Sequence, residues 1–223
     1  MIRAIIFDMD GTLLDSEKYW VKLPQIFLAH HGVTMTDEEL ENATWREASF
    51  TKTLTGYFAS PECAVDMSLE EALKWCKDYI YNKIYQSPDY IDFKPGARDT
   101  LETAACKGFP ACLISATEPV SLEYTLDRLD MKKYFNFWQS TSNGMSKHDP
   151  EIFRIAARKM GVAPEECLVM EDAMYAMNSA KQAGCTVWAI EDPKHKRDVE
   201  MIKQTADRYF GSHHDLCREL AAL

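Results

Sequence analysis

Residues 2–7, Ile-Arg-Ala-Ile-Ile-Phe, lead without a break into Asp8-Met9-Asp10-Gly11-Thr12. An apolar run this short is no periodic helix and reads as a buried parallel strand. Two carboxylates two residues apart at its end constrain the fold, because parallel sheets present their ligand sites at the carboxyl ends of their strands. Such a pair repels itself unless a cation holds it. A calcium loop of the D-x-D-x-D-G type is excluded: its sixth position falls on Leu13 and its twelfth on Tyr19, where glycine and glutamate are required.

The rest of the chain divides into two patterns. From about 17 to 88 it is helical: Tyr19, Leu23, Phe27 and His30 share a face, Gly32 is a stop, and Thr36…Glu39 and Ser68…Glu71 are capping boxes. Pro24 is expected to kink the first helix or to mark a fresh start. After Pro95-Gly96, strand candidates at 111–114, 135–138, 167–170 and 186–190 alternate with helices. Their boundaries are Glu118-Pro119, Asp149-Pro150 as N-cap and first-turn proline, and Gly184. The expected fold is α/β: a Rossmann-like parallel sheet core, residues 1–16 and 91–223, with an inserted all-helical domain at 17–90.

Composition narrows the partners. A chain of 223 residues, 46% hydrophobic, carries one or two domains. A net charge of −10 offers no broad positive field, so nucleic acid is not expected as a partner. Seven scattered cysteines without a C-x-x-C pair argue against a disulfide framework or zinc site and fit a cytoplasmic location. No segment is long and apolar enough to serve as a signal core or to span a membrane, and a monomer is expected. Nucleotide-binding glycine motifs and the G-x-S-x-G of serine hydrolases are absent.

Three further positions carry chemistry. Ser115 closes one strand candidate and precedes Ala116-Thr117-Glu118-Pro119, so its hydroxyl and the amides from Ala116 onward are expected at a helix start, where an anion is favoured. Lys147 lies just ahead of a proline-started helix and can point its ammonium at a phosphate. Glu171-Asp172 is a second acidic pair at a strand end, and oxygen donors of this kind suit magnesium.

Together these residues resemble the four signatures of the haloacid dehalogenase superfamily, in family order: Phe7-Asp8-Met9-Asp10-Gly11-Thr12-Leu13-Leu14-Asp15-Ser16-Glu17, then Ser115, Lys147 and Glu171-Asp172. The resemblance implies that Asp8 is a nucleophile and Asp10 a general acid and base, with Thr12 hydrogen-bonded nearby. It implies a phosphate site of Ser115, Ala116 and Lys147. It also implies Mg²⁺ held by Asp8, the Asp10 carbonyl and Asp172, with Glu171 binding directly or through water. Departures are His148 for a family proline, Ala173 for a common serine and Ala176 for a common glycine. The helical insert would be the family's cap. Arg46 stands where related caps place an arginine for the substrate, and Trp20 replaces the histidine of mutase relatives, which favours hydrolysis. Tyr19, Trp20 and Trp45 are read either as an aromatic wall around the substrate or, at helical spacing, as core. The function so implied is a magnesium-dependent phosphatase acting on a small phosphorylated metabolite, a sugar or polyol phosphate, through an aspartyl-phosphate. A β-phosphoglucomutase-like phosphosugar mutase is the alternative. Dehalogenation would not need the magnesium set, and a silent binding module would not need the nucleophile, acid, lysine and acidic pair together.

Overall fold

A computed structural model describes residues 1–47, 49–142, 144–195 and 198–223. The chain forms two compact units, one of residues 1–16 with 91–223 and one of residues 17–90. The first is built on six parallel strands: β1 (Ala4–Phe7), β2 (Ala111–Ser115), β3 (Phe137–Ser140), β4 (Cys167–Glu171), β5 (Thr186–Ile190) and β6 (Arg208–Phe210). Their order is β3-β2-β1-β4-β5-β6. Phe7 lies opposite Leu113 on one side and Met170 on the other, so the carboxyl ends of β1, β2 and β4 reach one edge together. Every residue of these three strands is buried, which is why they appear in the sequence as unbroken apolar runs.

The edges of the sheet depart from expectation. The strand expected at 135–138 starts two residues later, at Phe137 (β3): Phe135 is buried as the exit of the Lys132–Tyr134 turn, and only from Phe137 does the chain pair with Cys112. Strand β6 went unforeseen, because Arg208-Tyr209-Phe210 is short and only Phe210 is buried, leaving no apolar run to read.

In the second unit, α1 (Glu17–His30), α2 (Asp37–Asn42), α3 (Phe50–Ala59) and α4 (Leu69–Tyr79) are followed by a π-helical turn at Ile80–Tyr85. Helix α1 runs through Pro24, so the expected fresh start does not occur. The missing backbone bond costs about 3 kcal/mol, and burial of Leu23, Phe27 and Leu28 on the same helix, each worth roughly 1.5–3 kcal/mol, offsets it. Both capping boxes form: Glu39 N donates to Thr36 Oγ1 at 3.2 Å and Glu71 N to Ser68 Oγ at 3.2 Å, with the reciprocal bonds at 2.7 and 2.9 Å.

The core unit's helices are α5 (Ala97–Cys106), α6 (Pro119–Arg128), α7 (Glu151–Lys159), α8 (Met174–Ala183), α9 (Val199–Thr205) and α10 (His213–Ala221). Helix α7 begins one residue later than Asp149-Pro150 would place it: Pro150 is the residue before the helix, while Asp149 Oδ1 still accepts from Glu151 N at 2.9 Å. Gly184 ends α8 with φ 100°, a left-handed value that glycine adopts without strain. Ile6, Ile114, Val169 and Val187 form one core with Phe153 of α7 and Met177 and Ala180 of α8. Among the described residues, no helix is long and apolar enough to cross a membrane.

Candidate active site

The turn after β1 is held by backbone hydrogen bonds, one to the neighbouring strand β4 and the others within the turn. Asp8 N donates to the Met170 carbonyl at 3.0 Å, Leu13 N and Leu14 N both reach the Met9 carbonyl at 2.9 Å, and Gly11 sits at φ 78°. A side chain at Gly11 would be strained, so the turn that presents Asp8 and Asp10 needs glycine there. Thr12 faces the second acidic pair, donating from Oγ1 to Asp172 Oδ1 at 3.2 Å.

Lys147 joins the two strand ends. Its ammonium is bonded to Asp8 and lies 2.7 Å from Glu171 Oε1, and the side chain is 4% exposed. The other oxygen of Glu171 accepts from the amides of Asp172 and Ala173 at 2.7 and 2.8 Å, which fixes the carboxylate plane. Burial, with Glu171 as the next cause, pushes Asp8 up from 3.8 to about 7; Lys147 opposes this and Asp10 adds to it. Burial alone would lower Lys147, but Asp8 and Glu171 outweigh it and hold the ammonium well above its ordinary value.

Asp10 is the focus of three hydroxyls. Ser16 Oγ donates to its Oδ1 at 2.7 Å, and Ser115 Oγ and Thr117 Oγ1 donate to its Oδ2 at 3.1 and 2.6 Å. Helix α6 opens at Pro119 after an extended Glu118, at the boundary expected, so Ser115 and Ala116 lie ahead of the helix start and not on its first amides. Ser115 Oγ instead accepts the Thr117 amide at 3.0 Å, and Ala116 is exposed.

Asp8, Glu171 and Asp172, all buried, each offer an oxygen within 4.8 Å of the others. Lys147 balances one of these three charges. Nε2 of His195 lies 3.2 Å from Asp172 Oδ2, but burial and the neighbouring Lys194 lower its affinity for a proton, so it adds no charge at neutral pH. Surplus negative charge on hard oxygen donors in a buried site fits a divalent cation such as Mg²⁺.

The structure therefore brings together Asp8, Asp10, Thr12, Ser115, Lys147, Glu171 and Asp172. The residues singled out in the insert are engaged within their own unit. Arg46 is bonded to the Glu47 carbonyl, to Thr53 Oγ1 at 3.1 Å and to Glu41 at 3.3 Å. Trp20 donates to Tyr85 Oη at 3.1 Å and packs on Phe50 and Tyr81, whereas Trp45 is buried on Tyr57 and donates to Glu62 at 2.7 Å. Sequence reasoning missed Ser16, Thr117 and His195. Thr117 alone carried a local sign, a second hydroxyl two residues beyond Ser115.

The family model of haloacid dehalogenase-like hydrolases matches residues 5–190. The phosphorylated carbohydrates phosphatase of Thermotoga maritima is 27% identical over 190 residues, 82% of each chain. The phosphoglycolate phosphatase of Shigella dysenteriae is 26% identical over 205 residues, 82% of this chain and 79% of that one. Among solved structures, a haloacid dehalogenase family hydrolase from Deinococcus radiodurans R1, with bound phosphate and sodium, shares the fold with a TM-score of 0.76 at 24% identity, covering 99% of this chain and 96% of that one. With the family model spanning most of its length, the chain belongs to the haloacid dehalogenase-like hydrolases, and the relatives it matches make it a phosphoric monoester hydrolase.

Proposed function

We propose that this chain removes the phosphoryl group from a small phosphorylated metabolite, a sugar or polyol phosphate, by way of an aspartyl-phosphate on Asp8. The observation that carries the reading is the buried Lys147 bridging Asp8 and Glu171, beside an Asp10 carboxyl aimed by three hydroxyls. An Asp8 oxygen attacks phosphorus as the bond to the leaving oxygen breaks, and Asp10 donates its proton to that oxygen. Asp10, now a carboxylate, takes a proton from water; the water oxygen attacks phosphorus, inorganic phosphate leaves and Asp8 is restored. Lys147 offsets the charge of the transferred phosphoryl group. Mg²⁺ held by Asp8, Glu171, Asp172 and the Asp10 carbonyl would supply the remaining positive charge that lets a carboxylate meet a phosphate. A mutase is disfavoured, since Trp20 at the position of the mutase histidine carries an indole N–H that donates to Tyr85 and has no basic nitrogen.

The test is phosphate release from a panel of sugar phosphates, polyol phosphates, phosphoglycolate and nucleotides with Mg²⁺, alongside β-glucose 1-phosphate with its bisphosphate activator. Hydrolysis of at least one carbohydrate phosphate is expected; net isomerisation in place of hydrolysis would overturn the reading. Asp10→Asn is expected to slow turnover by roughly 10²–10⁴, the scale of a lost general acid, with Mg²⁺ affinity retained because the carbonyl is untouched. An unchanged rate would remove Asp10 from proton transfer.

The raised Asp8 predicts a pH-dependent effect of metal. Its folded value, about 7, lies above its ordinary 3.8, so the metal-free protein enjoys this group's contribution below about pH 4 and loses it as pH rises through 7. Mg²⁺ takes the proton's place. The rise in Tm on adding Mg²⁺ is therefore expected to be larger at about pH 8 than at about pH 5.5. A rise that is equal or smaller at the higher pH would contradict the ligand assignment of Asp8.

A further inference from the structure

Two carbonyls of the catalytic turn, those of Gly11 and Thr12, are each held by a side chain that the chemistry above does not use. Lys94 Nζ donates to the Gly11 carbonyl at 2.5 Å, to the Glu191 carbonyl at 2.8 Å and to Asp192 Oδ2 at 2.8 Å. Its side chain is 11% exposed and that of Asp192 3%. The backbone fixes Lys94 beside the turn, through Lys94 N to the Leu13 carbonyl at 2.9 Å. His213, buried, places Nε2 2.8 Å from the Thr12 carbonyl and Nδ1 3.0 Å from Thr100 Oγ1. A carbonyl can only accept, so Nε2 carries the proton; in the neutral ring Nδ1 accepts from the Thr100 hydroxyl, which also faces the Gly96 carbonyl at 3.2 Å. Burial lowers His213, the nearby Lys94 charge acts in the same direction, and the neutral ring this favours is the one the tautomer requires.

Both contacts continue into the reacting groups. Thr12, whose carbonyl His213 holds, donates from its hydroxyl to Asp172. Asp192, which holds Lys94, also accepts from Lys194 N at 2.9 Å through Oδ1 and from His195 N at 3.0 Å through its carbonyl. It thereby shapes the turn that sets His195 beside Asp172. The glycine in the turn makes such support necessary, because a residue without Cβ keeps wide backbone freedom unless its peptide is pinned, and a bond from a charged donor pins it more firmly than a neutral one.

We propose that Lys94 and His213 are positioning residues: by fixing the Gly11 and Thr12 peptides they set the aim of the Asp10 carboxyl and the place of Asp172. The inference rests on the phosphatase reading given above. Lys94→Met and His213→Leu are each expected to lower kcat about tenfold to a hundredfold, the scale of a small misplacement at a reacting centre. KM is expected to stay unchanged, and the loss to be the same on a sugar phosphate and on acetyl phosphate. Hydrogen exchange measured by mass spectrometry is expected to speed up in the segment 8–14. Lys94→Arg and His213→Gln keep a donor and are expected to recover most of the rate. Wild-type kcat in folded Lys94→Met and His213→Leu, or conservative variants no better than the apolar ones, would overturn the proposal. Should the apolar variants not fold, Thr100→Val removes the hydroxyl that orients His213, along with that hydroxyl's bond to the Gly96 carbonyl within its own helix turn; an expected fall in kcat at constant KM supports the proposal and an unchanged kcat overturns it. Hydrogen exchange needs no turnover, so a chain inert toward every phosphate ester would refute the phosphatase reading while exchange in 8–14 still decided whether these residues position the turn.

Discussion

Asp8→Asn is expected to abolish turnover, with a loss of about 10⁴-fold or more, while the protein stays folded. The amide keeps the shape of the carboxylate and can still accept from Lys147, but its oxygen is too weak a nucleophile to attack phosphorus. Stability is expected to hold, because the wild-type carboxylate is itself strained by burial and by Glu171, as its rise to about 7 records. The measurements are steady-state phosphate release, trapping of a phospho-enzyme after brief exposure to substrate, and thermal unfolding. Absence of a trapped phospho-enzyme together with intact folding is the expected outcome. A folded Asp8→Asn protein that turned over at the wild-type rate would end the covalent mechanism.

Lys147→Met is expected to damage both stability and catalysis, for one reason. The ammonium is buried between Asp8 and Glu171, and removing it leaves two buried carboxylates without their cation. Breaking a buried pair in this way costs about 3–5 kcal/mol. The loss is expected to be smaller at about pH 5.5 than at about pH 8, since Asp8 takes up a proton at the lower pH and the repulsion with Glu171 then falls. Mg²⁺ is expected to restore part of the stability and little of the rate, because the charge facing the phosphoryl group is still missing. A fall in kcat of roughly 10²–10³, typical of one lost electrostatic stabiliser, is expected at saturating Mg²⁺. Lys147→Arg is not expected to substitute fully, since a planar fork replaces a compact point charge. Unfolding curves at two pH values and kcat with Mg²⁺ check this; an unaltered Tm without metal would show that the ammonium does not balance the carboxylates.

Much of the fold was legible because the physics that makes it is local. Strands β1, β2, β4 and β5 lie in the interior of a parallel sheet, so nearly every residue is buried and the sequence shows unbroken apolar runs. Capping boxes at Thr36 and Ser68 and the glycine stop at Gly184 are contacts within a few residues, and the structure contains each of them. The edges were less legible: β3 is half-buried throughout and β6 only three residues long, and neither forces an apolar pattern. Of the two outcomes expected at Pro24, the fresh start is excluded, because burial on the same helix carries α1 through the proline.

The sequence by itself determined which groups stand at strand ends: Asp8 and Asp10 after β1, Ser115 at the end of β2, and Glu171-Asp172 where β4 stops. It did so because strand termination and acidic residues are both written in consecutive positions. Only the tertiary structure decided how these groups are held. Asp10 receives hydroxyls from Ser115 and Thr117, more than a hundred residues away, and Thr12 is held by His213 at a separation of 201. Lys94, an unremarkable lysine in the sequence, turns out to be a nearly buried cation bonded to two carbonyls and a carboxylate. Hydrogen bonds across such separations depend on where distant segments pack, and packing is a sum over the whole core that no local pattern encodes.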